Sequence, residues 1–369
     1  MRQLKLASFQ VFEGAKVSCD MHLSFETTPE QWGYSVALPL PTLMVRFPVI
    51  VEFDLEVTRG VVRVECLDLK THKECGGKVT VDVPGRRKIR VLFEKGAAQP
   101  VLMLRNAASD GVSALGKLYS VAYVKSDEVG EYRRLKARTW DYWHYSYDLG
   151  AGATVDATIS NIMPMHHLNQ KIMFSLFEAG FGSPRGQTVV DIACASGFHT
   201  MEMVRRGATV TGIDVDVPSI EQAQFLQSCS TKSANVNFQV GDLLTFKAPG
   251  PFDAGFCSGL FYHLLDPVGG AQALFDLVRR GAVVHSHVVA GDDAIMVLAD
   301  AQKYRCCFDG EFALMPSRSM LERIFAHVGF TVKSFAPQDV VSEQEIQDLP
   351  PEFATLFASG NTAYYLLTK

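Results

Sequence analysis

The spacing of apolar positions changes part-way along the chain and divides it into two regions. Up to about residue 125, short runs alternate apolar with polar side chains, as in residues 49–57 and 78–83, and turn residues such as Pro84 and Gly85 separate them. Many short strands with scarcely any helical period are typical of an antiparallel sandwich or jelly roll. We therefore predict an all-β, sandwich or jelly-roll-like accessory domain over residues 1–125.

Beyond residue 160 the pattern becomes one of buried strands alternating with amphipathic helices. Apolar runs occupy residues 188–192, 208–213, 236–240, 252–257 and 282–287. Segments with helical spacing lie between them, which predicts a mostly parallel sheet with helices on both faces. Runs at 331–335 and 362–367 complete seven strands. Residues 161–369 are therefore predicted to form a Rossmann-like α/β domain.

The residues between these regions, 126–160, hold a charged stretch and then an aromatic one. Residues 126–140 are predicted to connect the domains, and residues 140–150 carry six aromatic rings if His144 is counted. Core helices do not crowd rings in this way, whereas a segment that folds over a cofactor or forms a substrate wall does. We predict a lid that includes Trp143 and Tyr145. An aromatic domain interface is the alternative.

One stretch of the second domain, residues 188–216, carries the clearest chemical pattern. Its first strand ends at Asp191, and the small residues Ala193, Ala195 and Gly197 follow at alternate positions. Small side chains let the backbone pass close to a ligand beside the N-terminus of the next helix. The second strand ends at Asp214, where a carboxylate can accept hydrogen bonds from both ribose hydroxyls of a nucleoside.

The composition of this loop distinguishes between cofactor classes. A dinucleotide site uses G-x-G-x-x-G, with glycines against a pyrophosphate. Here the loop is A-x-A-x-G, and Asp191 precedes it by two residues. That carboxylate would repel a pyrophosphate but suits a cofactor with an ammonium group. The pattern resembles motif I of class I S-adenosylmethionine (SAM) methyltransferases, D/E-x-G-x-G-x-G, with alanine at two glycine positions. A Rossmann-like unit with another ligand, or none, is the alternative.

Composition and charge narrow the class of protein further. A chain of 369 residues, 47% hydrophobic and 20% charged, suggests two globular domains, and we find no apolar run for a membrane span and no cleavable signal. Eight irregularly spaced cysteines favour reduced thiols in a cytoplasmic protein without structural zinc. Residues 1–125 hold 17 Lys and Arg against 13 Asp and Glu, and the remainder holds 18 against 27. An acidic catalytic half argues against a nucleic-acid partner.

Several segments of residues 140–369 resemble one branch of the class I methyltransferases. This branch contains the tRNA wobble-uridine 5-oxyacetate methyltransferase and relatives of unassigned substrate. The segments are W-H-Y-x-x-D-L-G at 143–150, V-V-D-I-A-C-A-S-G-F at 189–198, G-I-D at 212–214, L-F-Y-H-L-L-D-P at 260–267 and L-M-P-S at 314–317. The tRNA enzymes carry a mostly helical N-terminal extension, whereas this chain has a β pattern there. The resemblance implies SAM as the cofactor.

The same resemblance implies positions for the cofactor contacts. Asp191, Ala193 and Gly197 would line the methionine part of SAM. Asp214 would bind its ribose, and Asp242 its adenine. The complete predicted set of cofactor contacts is Asp191, Ala193, Ala195, Gly197, Asp214, Val215, Asp242, Leu243, Ser258, Trp143 and Tyr145.

Methyl transfer to a hydroxyl requires alignment of the acceptor and a group that takes up its proton. Histidine suits this role near neutral pH. His263, just past the fourth strand, is the first candidate, and the alternative is that it shapes its loop by bonding a backbone carbonyl. His287, at the end of the fifth strand, is the second, followed by His144 and His199. The acidic pair at 292–293 has no further ligand set, so no metal is predicted.

An insert at residues 291–316 separates the fifth strand from the last helix. We predict that it is a substrate cap with Tyr304, Arg305 and Phe308 facing inwards, and a solvent-facing connection is the alternative. Arg305 suits an acceptor carboxylate or phosphate. The predicted substrate contacts are His144, Tyr262, Tyr304 and Arg305.

The leading functional hypothesis is a SAM-dependent O-methyltransferase acting on a small molecule, such as a sugar or natural-product intermediate. The β domain would help to bind substrate or form a homodimer. The second hypothesis is an RNA methyltransferase of the wobble-uridine type. It requires a basic path from residues 86–90, which otherwise form a solvated hairpin. The third is a non-catalytic SAM-binding scaffold, which the alanines of motif I permit.

Overall fold

A computed structural model describes residues 2–3, 9–40, 49–93, 98–124, 129–229, 235–300 and 312–369 of the chain. The chain divides into two compact units, one formed by Met1–Asp141 with Asp148–Val155 and the other by Tyr142–Tyr147 with Asp156–Lys369. We call them the β unit and the α/β unit. Residues 126–160, predicted as linker and lid, are thereby divided between the two units.

The β unit is built from antiparallel strands. Its strands among the described residues are β1 Arg2–Gln3, β2 Gln10–Val11, β3 Lys16–Cys19, β4 Leu23–Glu26, β5 Tyr34–Pro39, β6 Val49–Arg59, β7 Val62–Asp68, β8 Lys73–Val81, β9 Gly85–Phe93, β10 Pro100–Asn106 and β11 Leu115–Val124. They pair in the order β2-β5-β10-β7-β8-β9-β6-β11-β4-β3, and β1 pairs with β11. The prediction that the N-terminal region is all-β is confirmed.

The core of the β unit follows from the period-two pattern of its strands. On β6, Phe53 and Leu55 are fully buried, and the acidic residues between the apolar ones are partly exposed. These two side chains share one core with Val36 on β5 and Leu104 on β10, which lie in the other half of the sheet order. The two halves of the sheet therefore face each other across a common apolar layer.

The β unit extends beyond residue 125 through helix α1, Val129–Ala137. Leu135 on this helix packs against Ile50 and Leu92 of the sheet. The short strands β12, Tyr147–Gly150, and β13, Ala153–Val155, then pair with each other. Because α1 is part of the sheet's packing, residues 129–137 form a structural helix of the β unit.

The α/β unit alternates helices and strands as predicted. Its elements are α2 Met163–Phe181, β14 Thr188–Ile192, α3 Phe198–Arg205, β15 Thr209–Asp214, α4 Val217–Cys229, β16 Val236–Val240, β17 Ala254–Ser258, α5 Pro267–Leu277, β18 Gly281–His287, β19 Met296–Asp300, β20 Phe312–Pro316, α6 Arg318–His327, β21 Thr331–Phe335, α7 Glu343–Gln347, α8 Pro351–Ala358 and β22 Thr362–Thr368. The main sheet has the order β16-β15-β14-β17-β18-β22-β21. It is parallel except for β22, which is antiparallel to both neighbours.

Helices cover both faces of this sheet, and each face has its own core. Phe174 on α2, Met203 on α3, Ile220 on α4 and Phe357 on α8 pack in one cluster. Residues of α5 and α6 pack on the opposite face in a second cluster with Val190 and Val284. This is the Rossmann-like architecture expected from the sequence.

Two helix boundaries differ from the sequence prediction. Ser317 is the N-cap of α6, because its backbone is extended and its Oγ accepts a hydrogen bond from Met320 N at 3.2 Å. The sequence Ser319-Met-Leu-Glu322 predicts a capping box at the start of this helix; that prediction is wrong, and Ser319 Oγ instead donates to Asp292 O at 3.0 Å. The amphipathic pattern predicts that α2 starts at Asn169, whereas the helix begins at Met163, more than one turn earlier.

The predicted substrate cap is a hairpin whose tip lies outside the described residues. Strands β19 and β20 pair antiparallel over their whole length. Residues 301–311 are not among the described ones, so the predictions for Tyr304, Arg305 and Phe308 remain predictions. Over the described residues, no helix is sufficiently long and apolar to cross a membrane.

Candidate active site

The parallel strands bring predicted site residues to one edge of the sheet. Strand β14 pairs with β15 on one side and with β17 on the other, and β17 pairs with β18. Asp191, Asp214, Ser258 and His287 therefore lie at adjoining carboxyl ends. This edge is where open α/β sheets bind their ligands.

The loop after β14 has the backbone shape of a glycine loop although it contains two alanines. Ala193 and Ala195 have φ of +58° and +46°, and Gly197 has φ of +86°. Cys194 N donates to Ile213 O at 3.1 Å, and this bond ties the loop to the neighbouring strand. A left-handed conformation costs an alanine about 1 kcal/mol relative to glycine. The fold therefore imposes this loop shape on residues that do not favour it.

Gly197 is the position in the loop where a side chain has no room. It precedes α3, and a Cβ built on it would lie 2.7 Å from the ring of Phe238. Gly212 on β15 faces the same ring, with a Cβ position 2.8 Å from it. Phe238 thus presses on both the loop and β15, so any larger residue at 197 must displace a buried ring.

Asp214 connects the tip of β15 to the motif loop. Its Oδ2 accepts a hydrogen bond from Ala195 N at 2.8 Å, and its Oδ1 accepts one from Asp216 N at 2.9 Å. Burial raises the pKa of Asp214, and the two backbone amides act in the opposite direction. The side chain remains partly exposed, as a residue that accepts ligand hydroxyls must.

Asp191 lies underneath the loop. It is 2% exposed, and its Oδ2 accepts a hydrogen bond from the Thr200 hydroxyl on α3. Burial raises the pKa of Asp191 to about 7, while the bond from Thr200 works to lower it. The carboxyl therefore titrates near neutral pH and links the end of β14 to the first turn of α3.

Three further predicted cofactor contacts, with Asp242 assigned to the adenine, lie after β15 and β16. Val215 is 64% exposed, and Asp242 is exposed, with its Oδ1 accepting from Leu244 N at 3.0 Å. Leu243 is buried in the core beneath. This arrangement leaves one apolar and one acidic side chain accessible at neighbouring strand ends.

The aromatic segment, residues 142–147, packs inside the α/β unit. Trp143 and Tyr145 are 3% and 7% exposed, and the ring of Tyr145 stacks on Phe198 at 4.5 Å. Tyr147, which the sequence argument did not assign, lies 2.9 Å from Ser196 Oγ and donates to Ser196 O at 3.2 Å. In this conformation the segment packs against the motif loop, as either a cover or a substrate wall would.

Tyr262 lies between the two predicted catalytic bases. The His263 ring is 4.2 Å from the ring of Tyr262, and the His287 ring is 5.0 Å from it. Burial lowers the pKa of His263 to about 4, and it lowers that of His287 as well. Both imidazoles are therefore neutral near pH 7, which is the form that can accept a proton.

His144 and His199 are also neutral by burial. Burial lowers the pKa of His144 to about 4 and that of His199 to about 3. The His144 ring lies 4.7 Å from His166, a residue of α2 that the sequence argument missed. The site therefore contains more imidazoles than were predicted, and burial lowers the pKa of His166 too.

A hydrogen-bonded chain crosses the strand ends behind these imidazoles. Asn169 Nδ2 on α2 donates to Ser258 Oγ at 3.1 Å, and Ser258 Oγ lies 3.2 Å from His285 Nδ1. His285 Nε2 lies 2.9 Å from Thr362 Oγ1 on β22. Ser258 was predicted as a cofactor contact, whereas Asn169 and His285 were not singled out. Their partners lie 77 to 89 residues away in the sequence, so local patterns do not reveal them.

Four buried polar atoms of the α/β unit have no hydrogen-bond partner among the described residues. They are His166 Nε2, Asn169 Oδ1, His199 Nδ1 and Tyr364 Oη. An unpartnered polar group in the interior costs about 1–3 kcal/mol. Native folds rarely retain such groups without a functional reason.

One surface pocket of about 420 Å³ in the β unit is bordered by β9 and α1, and one of about 430 Å³ in the α/β unit lies along residues 156–164 before α2. Among the described residues, no group of three or more His, Cys, Asp or Glu side chains has an arrangement that would hold a metal ion.

Residues 189–281 match the family model described as a methyltransferase domain. A ubiquinone biosynthesis O-methyltransferase of Paracidovorax citrulli is 26% identical over 49% of this chain and 68% of its own length. A tRNA U34 carboxymethyltransferase of Alteromonas mediterranea is 28% identical over 40% of this chain and 45% of its own length. An S-adenosylmethionine-dependent methyltransferase of Mesorhizobium loti, a solved structure, has 14% identity and a TM-score of 0.44, and the match covers 55% of this chain and all of that one.

The matches to curated relatives span from less than half to about two thirds of those proteins, and the family model covers part of the α/β unit. They confirm the class that the sequence predicted. The α/β unit carries a class I SAM-dependent methyltransferase domain, the chain is an enzyme of that class, and its cofactor is SAM.

Proposed function

We propose that the protein transfers a methyl group from SAM to a hydroxyl oxygen of a small molecule. The observation that supports this most directly is the pair of neutral imidazoles, His263 and His287, on either side of Tyr262 at the ligand-binding edge of the sheet. An acceptor hydroxyl must lose its proton during transfer, and a neutral imidazole can take it. The Paracidovorax relative is named as an O-methyltransferase, which is consistent with oxygen as the acceptor atom.

The chain's own residues suit the cofactor chemically. Asp214 is proposed to accept the ribose hydroxyls and Asp242 to bind the adenine, with Val215 as a further cofactor contact; the partial exposure of Asp214 and the exposure of Asp242 and Val215 support this. The motif loop with Ala193 and Ala195 gives the close backbone approach that the methionine part needs. Bound SAM supplies a methyl group on a sulfonium, so the S–CH3 bond breaks as the O–CH3 bond forms.

The remaining steps belong to residues of the site. His263 is proposed to accept the hydroxyl proton, and His287 is the second candidate. Tyr262 lies against both rings and so limits their rotation. The covering of the motif loop by Tyr145 and Tyr147 supports a role for the aromatic segment as a lid, which would also exclude water from the reaction.

The tRNA reading, which the name of the Alteromonas relative raises, has less support. Two of the four basic residues of the cluster on β9 are paired with carboxylates of their own unit. Arg86 makes a two-pronged bond to Asp54 at 2.9 and 2.8 Å, and Arg90 pairs with Glu52 and Glu131 at 2.8 and 2.6 Å. Guanidinium groups that are already paired with carboxylates bind a phosphate backbone less strongly.

Replacement of Asp214 tests the cofactor assignment. We expect Asp214→Ala to weaken SAM binding about 100-fold, because two hydrogen bonds to a charged group are lost. Asp253→Ala is the matched control, since Asp253 lies at the opposite end of the sheet and bonds Thr188. Titration calorimetry with SAM measures both. Equal affinity of Asp214→Ala and wild type would remove Asp214 from the site.

Replacement of the two histidines tests the proposed base. We expect His263→Ala to lower kcat by about 10²–10⁴-fold with little change in SAM affinity. The matched control is His327→Ala, an exposed histidine of α6 in the same unit. Formation of S-adenosylhomocysteine over a panel of hydroxylated acceptors is the measurement. Unchanged turnover in His263→Ala, together with a loss in His287→Ala, would transfer the role to His287.

A further inference from the structure

Three of the four unpartnered buried atoms of the α/β unit belong to helices α2 and α3, and the fourth is Tyr364 Oη on β22. His166, Asn169 and His199 are 5%, 4% and 5% exposed, yet His166 Nε2, Asn169 Oδ1 and His199 Nδ1 have no hydrogen-bond partner in the described part of the chain. We call these three residues the α2–α3 recess. The sequence singled out only His199 among them, as a candidate base.

Ring contacts place two of the three side chains, His166 and His199, against Tyr145. Tyr145 has ring-centroid distances of 4.6 Å to His166 and 6.4 Å to His199. Asn169 follows His166 by one helical turn, so both lie on the same side of α2. Asn169 also bonds Ser258 at the end of β17. The recess is therefore next to the strand ends where the cofactor is proposed to bind.

The chemistry of the recess excludes several kinds of ligand group. Asn169 Oδ1 can only accept a hydrogen bond, so its partner must be a donor. Burial keeps both imidazoles neutral, and each of their free nitrogens can donate or accept according to the tautomer. No lysine or arginine is among the three residues, so a carboxylate or phosphate would lack a counter-ion. Neutral groups that both donate and accept are hydroxyls.

We propose that the α2–α3 recess recognises two or more hydroxyl groups of a neutral, polyhydroxylated acceptor such as a sugar ring. This inference rests on the proposed O-methyltransferase function and specifies its substrate class. A phenol with one hydroxyl would leave at least one of the three atoms unpartnered in the complex. Each group left unpartnered weakens binding by about tenfold.

The first test asks whether the recess serves the acceptor or the cofactor. Asn169→Leu removes the unpartnered oxygen and keeps the side-chain volume, and His166→Phe does the same for the imidazole if the first variant does not fold. We expect the affinity for S-adenosylhomocysteine to stay within about threefold of wild type, measured by calorimetry. A loss of more than tenfold would place the recess in the cofactor site and overturn the proposal. Absence of binding in the wild type would instead defeat the proposed function itself.

A matched variant tests whether the side-chain oxygen of Asn169 is available to a ligand or only stabilises the fold. Gln222 in the same unit is 5% exposed, and its Nε2 donates to Tyr142 O at 2.6 Å. Gln222→Leu is expected to lower Tm by roughly 2–4 °C because a buried carbonyl loses its donor. Asn169→Leu should lower Tm by clearly less, since the loss of its bond to Ser258 is offset by the removal of an unpartnered oxygen. An equal or larger drop would assign Asn169 a purely structural role.

The second test uses two probes of contrasting chemistry. Saturation-transfer NMR is recorded with methyl β-D-glucopyranoside and, separately, with catechol, both on protein saturated with S-adenosylhomocysteine. We expect the glucoside to bind and its Kd to rise at least tenfold in Asn169→Leu or His166→Phe. Binding of catechol alone, binding of the glucoside that both variants leave unchanged, or binding of neither probe would each overturn the proposal.

Discussion

The β unit and the α/β unit differ in how they treat buried polar side chains. In the β unit, fully buried Asn106 donates to Pro29 O and Val112 O and accepts from Ala108 N, each at 3.1 Å. In the α/β unit, His166 and Asn169 are almost as deeply buried, yet each retains an atom without a partner among the described residues.

The difference separates polar groups that stabilise a fold from polar groups that await a ligand. A satisfied network adds stability and needs nothing else. An unsatisfied one lowers the stability of the free protein and recovers the loss only when a ligand supplies partners. Buried charged side chains of the β unit are also paired, because Glu65 lies buried between Arg63 and Arg105. The functional chemistry is therefore concentrated in one unit.

We expect the largest difference between the two units in their stability at low pH. Burial lowers the pKa of His144, His166, His199, His263, His285 and His287, all in the α/β unit. As pH falls below 6.5 the unfolded chain binds protons that the folded unit does not, so stability falls. For His144 and His263, whose pKa burial lowers to about 4, the shift corresponds to roughly 3 kcal/mol each. Asp191, whose pKa burial raises to about 7, acts oppositely, because its contribution grows as pH falls from about 7 towards 3.8.

We expect the α/β unit to unfold between pH 6.5 and 4 while the β unit remains folded. In the β unit, the bond from Arg86 lowers the pKa of Asp54, so that contribution is lost only below about 3.8. Circular dichroism at 222 nm follows the α/β unit, since α2 to α8 all belong to it, and pulsed amide exchange follows the β unit. His199→Leu should lessen the acid loss, and His327→Leu, which removes an exposed histidine, should not. Joint unfolding of both units at one pH would contradict this prediction.

The next largest effect is expected at Asn106. Asn106→Leu deprives three backbone groups of their partners, so we expect the β unit to lose about 3 kcal/mol of unfolding free energy. The same substitution at Asn237, an exposed residue of β16, should change stability by less than about 0.5 kcal/mol. Urea denaturation measures both variants. A loss at Asn106 no greater than at Asn237 would remove the contrast between the two units.

The sequence predicted the parts of the site that follow from local periodicity. Apolar runs followed by acids placed Asp191 and Asp214 correctly at strand ends, because the edge of a parallel sheet is a consequence of strand direction alone. His263 and His287 were predicted as bases by the same reasoning. His287 is the last residue of β18, and His263 lies in the turn that follows β17.

His166 and Asn169 were not predicted as site residues because both belong to a helix, and the bond of Asn169 to Ser258 spans 89 residues. The amphipathic pattern predicts α2 from Asn169, which leaves His166 outside the helix. Pro164, at the first turn of the helix, is the signal that would have corrected this. The burial of Trp143 and Tyr145 was also missed, since it depends on stacking against Phe198 and not on the aromatic pattern itself.

The smallest expected effect concerns the motif loop, where the α/β unit has strained backbone conformations in addition to polar atoms without partners. Ala193 and Ala195 hold left-handed backbone conformations at φ of +58° and +46°. Ala193→Gly and Ala195→Gly remove a steric cost of about 1 kcal/mol each and add the entropy of a freer unfolded chain. We expect a net stabilisation of about 0.5 kcal/mol per site, measured by urea denaturation of the α/β unit.

An ordinary helical alanine gives the opposite sign and so controls for the substitution itself. Ala273 lies inside α5, where glycine costs about 1 kcal/mol. Affinity for S-adenosylhomocysteine in the two loop variants should stay within about threefold, because the glycines keep the same backbone path. If Ala195→Gly destabilised as much as Ala273→Gly, the loop alanines would owe their place to packing of their methyl groups. The loop would then be a well-packed part of the α/β unit. The contrast between stable and strained regions would in that case lie within the α/β unit and not between the two units.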